Sequence, residues 1–477
     1  MLQSYLSTSL SAQPKAISPM AYRHPHQFPL IPTLLISLLF TTITTTLAKV
    51  PPNQTFHFVN QGEFGDRIIE YDAGYRVIRN NVYTFYTFPF RLCFYNTTPD
   101  SFVFAMRAGI PNDESLMRWV WDANRNDPVG ENATLSFGED GNFVLADFDG
   151  RLVWQTNTAN KGVTGIKLLP NGNLVLFDKN GAFVWQSFDH PTDTLMVGMS
   201  VRINGRNKLV SRTSDVDGSD GKYSLVLEDN GFNMYINNSG DLLVYGGWGG
   251  RSLGSIVTFD AVPENDNATA FELVLTVNQD PPPPEPPSRR RLLQRKVQGG
   301  SQINLNKLNY NATYSFLRLG SDGNLRAYTY YDQVSYLKWE ESFAFFSSYF
   351  IRECALPSKC GKYGLCESGM CVACPSPKGL LGWSDSCAPP QLPPCKGGAK
   401  AAQYYKIVGV ENFLNPYLDD GEGPVKVGEC RDKCSRDCKC LGFIYKEDTF
   451  KCLLMPLLGT LIKDVNTTSV GYVKYSK

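Results

Sequence analysis

Residues 171–187 read "NGNLVLFDKNGAFVWQS", and residues 140–156 read "DGNFVLADFDGRLVWQT". Aligned without gaps, the two stretches share nine of seventeen residues, among them Gly141/Gly172, Asn142/Asn173, Val144/Val175, Asp147/Asp178, Gly150/Gly181 and Trp154/Trp185. In each, two runs of β-branched, aromatic and aliphatic residues flank a turn: "NLVLF" and "AFVWQ" around "DKNG", "FVLA" and "LVWQ" around "DFDG". Asn-Gly and Asp-Gly favour the positive-φ turns of tight hairpins, so each copy is predicted to be a β-hairpin. A hairpin cannot bury its apolar face alone. Copies 31 residues apart therefore imply a repetitive β architecture with one shared core and the tryptophan packed between sheets. Weaker echoes at 238–246 ("NSGDLLVYG") and 321–332 ("SDGNLRAYTYYD"), with a strand–turn–strand at 223–235, predict a second β domain.

The 477 residues suffice for two to four domains, and 42% hydrophobic content is ample for packed cores. The formal net charge of zero gives no reason to expect a nucleic-acid or membrane-surface partner. Residues 30–47, "LIPTLLISLLFTTITTTL", form an apolar stretch preceded by Lys15 and Arg23 and followed by the small residue Ala48, so 1–48 is expected to be a cleaved signal peptide. A membrane anchor is the competing explanation, but the Thr-rich second half is weakly apolar for a span. Seven Asn-x-Ser/Thr sequons, at Asn53, Asn96, Asn132, Asn237, Asn267, Asn311 and Asn466, exceed chance and agree with export. The Pro- and Arg-rich stretch 280–296 cannot join a sheet ladder and is expected to be an exposed loop inside the second β domain.

Twelve of the thirteen cysteines lie between Cys354 and Cys452, as expected of an oxidised framework in an exported chain. Six fall within 354–387, too short a segment for a core of its own. Zinc is the rival for "CVAC", but the even count favours bridges. Cys430, Cys434 and Cys438 are spaced so that a helix would put all three on one face, stapled to the strand "KCLGFIY". Cys93 is left over and is expected to be a buried free thiol.

The Asp/Asn-x-Asn-x-Val pattern followed by "VWQSFDHPTDTL" (184–195) resembles the bulb-type (G-type, mannose-binding-like) lectin domain of plants. The order lectin, EGF-like, PAN/apple resembles the extracellular part of S-locus glycoproteins and S-domain receptor kinases, with no kinase after Lys477. "RLCFYNTT", "LRLGSDGNLRAYTYYD" and "FAFFSSYF" look closest to epidermis-specific secreted glycoproteins of the plant cell wall. The resemblance implies a mainly β chain of tandem β-prisms followed by disulfide-rich modules. It divides as signal peptide 1–48, lectin domain 55–186, second lectin-like domain 187–350, EGF-like module 354–387 and PAN/apple domain 395–475. It also implies bridges Cys354–Cys366, Cys360–Cys371, Cys374–Cys387, Cys430–Cys452, Cys434–Cys440 and Cys395–Cys438.

Sugar-binding members of that family carry Gln-x-Asp-x-Asn-x-Val-x-Tyr on one strand, whose alternation directs four polar groups to one monosaccharide. Here the first copy reads Gly138, Asp140, Asn142, Val144, Ala146 and the second Leu169, Asn171, Asn173, Val175, Phe177, so both have lost the terminal Gln and Tyr. Losing such a partner leaves hydroxyls unpaired at roughly 1–3 kcal/mol each. Asp-Gly-Asn and Asn-Gly-Asn also make good turns with no ligand at all. Gly320, Asp322, Asn324, Arg326, Tyr328 keeps three of the motif's polar residues, so Asp322, Asn324 and Tyr328 are the candidate carbohydrate-binding set. Asn237, Ser239, Asp241, Leu243, Tyr245 is a looser match.

Catalysis finds little support. Ser187, His190 and Asp193 lie close in sequence, whereas a catalytic triad is assembled from distant segments; the Asp and Thr of this loop are expected to cap its backbone. His57 and His190 alone remain after the leader, which gives no His-rich metal site, and no cofactor is expected. The reading is a secreted, non-enzymatic lectin-like glycoprotein of the cell wall or apoplast. It would bind glycans, mannose-type if any, or glycoprotein partners, with a homodimer or S-domain receptor contact through its C-terminal modules. The alternatives are a structural or decoy protein using the fold for protein contacts, and a wall-active hydrolase or hydrolase inhibitor.

Overall fold

A computed structural model describes residues 48–110, 116–229, 231–249, 254–263, 271–278, 302–308, 314–331, 337–348, 352–395, 401–418 and 421–476. The leader, the 280–296 stretch, Asn267 and Asn311 lie outside these residues. The two copies of the opening repeat are antiparallel hairpins: Phe143–Ala146 with Leu152–Gln155, and Leu174–Asp178 with Phe183–Gln186. Alternation along the first puts Phe143 and Leu145 inside and leaves Val144 and Ala146 half-buried.

The hairpins belong to two of three antiparallel sheets that close a β-prism. One sheet adds Phe56–Val59 and Thr134–Phe137 to the first hairpin, and another adds Val163–Leu168 to the second. The third runs Gly74–Val77, Phe90–Thr98, Ser101–Ala108, Arg118–Asp122, with Tyr86–Thr87 on its flank. A second prism repeats the plan with three four-stranded antiparallel sheets between Thr194 and Ala344. Leu135, Phe143, Leu174, Phe104 and Trp121 of the first prism and Leu195, Leu225, Phe316 and Leu317 of the second join one continuous apolar cluster. Each such fully buried side chain contributes about 1.5–3 kcal/mol.

The cysteine-rich end has two further sheets. Tyr363–Glu367, Met370–Ser376 and Gly379–Gly382 form a meander, and its first strand pairs in parallel with Gly459–Lys463, ninety-six residues on by register Tyr363↔Gly459. The stretches 354–387 and 395–475 therefore share one sheet. The other sheet carries Ala402–Val408, Ser469–Ser476, Gly442–Lys446 and Lys451–Met455, with the helix Val427–Arg436 against it. Disulfides join Cys354–Cys366, Cys360–Cys371, Cys374–Cys387, Cys395–Cys438, Cys430–Cys452 and Cys434–Cys440.

The helix holds Cys430 and Cys434 but not Cys438, contrary to the three-on-one-face reading. Asp437 turns to extended backbone (φ −89°, ψ 118°) and ends the helix. There the buried Lys474 ammonium donates to the carbonyls of Cys434, Asp437 and Cys440, a cation at the helix C-terminus that replaces the lost helical partners.

Candidate functional site

In all three motif copies the central asparagine is buried, at 6% for Asn142, 4% for Asn173 and 2% for Asn324. Asn142 Nδ2 donates to Gln155 Oε1 (2.7 Å), and its Oδ1 accepts from Thr156 Oγ1 (3.1 Å) and Thr158 N (3.0 Å). Asn173 repeats this with Gln186 Oε1 (2.8 Å), Ser187 Oγ (3.2 Å) and Phe188 N (3.3 Å). Asn324 exchanges both bonds with the Phe346 backbone, at 3.1 and 3.0 Å. These amides lock each hairpin to the segment leaving its second strand, and none is presented to a ligand. The Asn324 amide is bonded to Phe346, while Asp322 and Tyr328 line a cleft whose lining does not include it.

The residue two places earlier makes the turn. Asp140, Asn171 and Asp322 each accept the backbone N–H of that asparagine, at 3.0, 3.2 and 3.0 Å. The intervening glycine has positive φ in every copy, and a Cβ on Gly323 would meet the Tyr223 ring at 2.8 Å. Val144 is half-buried, while Val175 is 1% exposed and offers no surface to a sugar ring.

Asp322 and Tyr328 do line a common cleft of about 650 Å³ between the prisms, together with Asp72, Asp215, Ser321 and Arg326. Arg326 holds Asp322 through two bonds of 2.9 and 2.7 Å and lies 3.3 Å from Glu341. Burial opposes the Arg326 charge, but Asp322 overcomes this and keeps the guanidinium firmly protonated. Tyr328 lies beneath Arg118, 4.5 Å from guanidinium carbon to ring centre, and beside Phe316. Burial raises its hydroxyl above the ordinary tyrosine range against the pull of Arg318, so it is a neutral donor and acceptor.

The back wall of the cleft is a buried ionic seam. Arg318 donates to Glu70 Oε1 (2.7 Å), Tyr71 Oη (3.2 Å), Thr194 Oγ1 (3.1 Å) and the Trp119 carbonyl. Glu70 also pairs with Arg118 at 2.8 Å. Tyr71 and Asp72 both take left-handed backbone, φ 68° and 49°, uncommon for non-glycine residues and stored at the cleft edge. Asp193, expected to cap a loop, instead lies buried 3.3 Å from Arg125 and accepts from Thr194 Oγ1 at 2.7 Å. Burial works to raise its carboxyl, yet Arg125, Arg318 and Arg212 hold it below the usual range. Ser187 and His190 are engaged elsewhere: Ser187 Oγ accepts from Leu174 N, and His190 stacks on Trp185 at 5.3 Å. Ser187, His190 and Asp193 do not form a triad.

A third copy of the tryptophan motif escaped the sequence reading. Val-Trp followed by a polar residue recurs at Val120-Trp121-Asp122, Val153-Trp154-Gln155 and Val184-Trp185-Gln186. The three rings, one from each sheet of the first prism, meet edge-to-face with centres 5.8–6.3 Å apart. That recurrence of "VW" was the available signal. Glu70, Tyr71 and Arg318 carried none, since no periodicity ties them together.

The D-mannose binding lectin family matches residues 118–215, which begin at this third copy, and the PAN domain family matches residues 417–476. EP1-like glycoprotein 2 of Arabidopsis thaliana is 59% identical over 446 residues, covering 92% of this chain and 98% of that one. The chain belongs to the EP1-like glycoprotein family. The epidermis-specific secreted glycoprotein EP1 of Daucus carota is 45% identical to this EP1-like chain over 406 residues, 80% of this chain and 98% of that one. The S-locus-specific glycoprotein BS29-1 of Brassica oleracea var. alboglabra is 28% identical over 353 residues, 68% and 71% of the two chains. Among the described residues of this family member no helix is long and apolar enough to cross a membrane.

Four sequons sit on exposed asparagines, Asn53, Asn132, Asn237 and Asn466, and Asn96 is half-buried. Cys93 is buried with a free thiol.

Proposed function

We propose that this EP1-like chain is a secreted, non-enzymatic, lectin-like glycoprotein of the cell wall or apoplast. It recognises a glycan or glycoprotein in the cleft between its two prisms. The observation that carries the reading is the meeting of Asp322, Arg326 and Tyr328 with Ser321, Asp215 and Asp72 in one open cleft. Carboxylates, a guanidinium and hydroxyls at an aromatic face are the groups that pair with vicinal sugar hydroxyls and pack on ring carbons. Export is supported by the leader, by the exposed sequons and by the printed name of the carrot relative.

The test is a glycan array on the purified glycosylated protein, with Asp322→Ala and Tyr328→Phe beside it. Loss of a glycan signal in Asp322→Ala supports the cleft. A signal that survives both variants moves recognition elsewhere. A specific observation favours the scaffold reading as the second possibility: Asn142, Asn173 and Asn324 are all consumed by internal hydrogen bonds. Silence on the array, with a protein partner captured instead, would establish that reading.

A further inference from the structure

A second cleft, of about 480 Å³, opens where the three tryptophans of the first prism face Arg206, Lys208 and Asp220 of the second. Its volume lies within the roughly 300–1,000 Å³ of small-ligand sites. One wall is apolar: Trp154 and Trp185 are each half-buried, and the His190 ring lies flat on Trp185, 17° from parallel. The floor is polar and incompletely satisfied. Among the described residues, Asp122 Oδ1 and Thr192 Oγ1 are buried without a hydrogen-bond partner, and Asp122 is only 5% exposed. Orphaned buried polar atoms are uncommon in native proteins, and a ligand with hydroxyls would satisfy them.

Charge distinguishes this cleft from the one that Asp322 lines. Arg125 is matched by Asp122, Asp193 and Asp220 at 3.9, 3.3 and 2.7 Å, and Asp127 is matched by Arg151 at 2.7 Å. Arg206 and Lys208 line the same cleft, are exposed, and have no carboxylate partner among the described residues. Once the internal pairs are set aside, the rim carries two free cations. Asp189, beside His190, accepts from Gln186 Nε2 at 3.1 Å. Burial and then Arg206 hold the His190 imidazole below its ordinary value, so it adds a neutral ring rather than charge.

We infer that this cleft is a second carbohydrate site, selective for an acidic sugar. The sugar ring lies on the His190–Trp185 wall, its hydroxyls reach Asp122 and Thr192, and its carboxylate meets Arg206 and Lys208. The site stands apart from the Asp322 cleft and does not depend on it.

The test uses the full secreted chain with trigalacturonic acid, its methyl ester and poly-glutamate as probes, followed by calorimetry and by fluorescence of the tryptophan cluster. The variants are Arg206→Gln with Lys208→Gln, both exposed and expected to fold, and Asp322→Ala. Charged hydrogen bonds of about 1.5–3 kcal/mol predict that the acid binds at least about tenfold more tightly than the ester. The double variant is expected to lose that margin, and Asp322→Ala to keep it. No binding of the acid, equal binding of the ester or of poly-glutamate, or loss in Asp322→Ala would each overturn the assignment.

Discussion

Arg318 Nη1 lies 2.7 Å from Glu70 Oε1 across 248 residues of chain, with side chains only 7% and 9% exposed. Glu70 comes from the first prism and Arg318 from the second, so this pair fixes how the prisms meet and hence the shape of the cleft beside them. Removing one member of a buried pair strands the other charge and costs about 3–5 kcal/mol. Glu70→Gln strands both Arg318 and Arg118, and is expected to destabilise the chain by that amount in denaturant unfolding. Arg118→Met removes a partner that is 23% exposed and is expected to cost clearly less. Equal midpoints for Glu70→Gln and the wild type would show that the seam does not hold the prisms.

Asn173 was legible as a repeated residue but not in its role. The 31-residue repeat, the hairpins and the tryptophan in the core could be read because apolar alternation and turn residues are local signals. The same local pattern serves a sugar contact or an internal lock equally well. Only the partners Gln186, Ser187 and Phe188, thirteen to fifteen residues on, decide between them. The seam was illegible for the same reason in stronger form: an Arg–Glu pair 248 residues apart leaves no periodic trace. Asn173→Ala is expected to lose roughly 2–4 kcal/mol, three hydrogen bonds with their partners left buried, and to leave the response on any glycan array unchanged once folded. A variant of wild-type stability would show that Asn173 does not lock the hairpin.

Asn324→Ala and Asp322→Ala separate the same two roles within one motif. Asn324 is 2% exposed and bonded to Phe346, whereas the Asp322 side chain is 38% exposed and faces the cleft. Asn324→Ala is expected to lower the melting temperature and leave ligand binding intact once folded, whereas Asp322→Ala, which gives up two bonds to Arg326 and the turn bond from Asn324 N, is expected to cost both stability and ligand binding. Binding lost in folded Asn324→Ala and kept in Asp322→Ala, in paired thermal melts and binding titrations, would sink the division.

Asp122 makes stability depend on pH. Burial raises its carboxyl, Arg125 pulls against this, Asp193 adds to it, and the result is about 6. A native value above the unfolded one means that the folded chain keeps a proton the unfolded chain has released. The associated stability is present below the unfolded value near 4 and is lost as pH rises through 6. Asp122 therefore works to raise the melting temperature between pH 7 and pH 5, whereas His190, held below its ordinary value by burial and Arg206, lets the unfolded chain bind a proton first and works to lower it over the same window. Asp193, held low by its arginines, works in the opposite direction only at lower pH, as it becomes protonated. Asp122→Asn removes the Asp122 contribution and keeps that of His190, so the wild type is expected to gain in melting temperature on the variant between pH 7 and 5. A wild-type melting temperature that gains nothing on the variant's over that interval would contradict the assignment.

Cys93 supplies a reporter for these measurements. It lies in the strand Phe90–Thr98, is 0% exposed, and burial pushes its thiol up to about 11, with Arg107 only partly opposing. The thiolate is the reactive species, so at pH 8 the native chain holds about one part in a thousand in reactive form, and that inside the core. The other twelve cysteines are bridged. Native protein is expected to resist iodoacetamide over hours, and denatured, unreduced protein to take up one label per chain. The labelling rate then reads opening of the first prism, because Cys93 packs with Tyr75, Tyr95, Ala105 and Trp119 of its own sheet. Glu70→Gln, which loosens the adjoining seam, should label faster than Arg118→Met. Rapid labelling of the wild-type native chain would mean that Cys93 is reached by solvent and that the sheet around it opens without global unfolding.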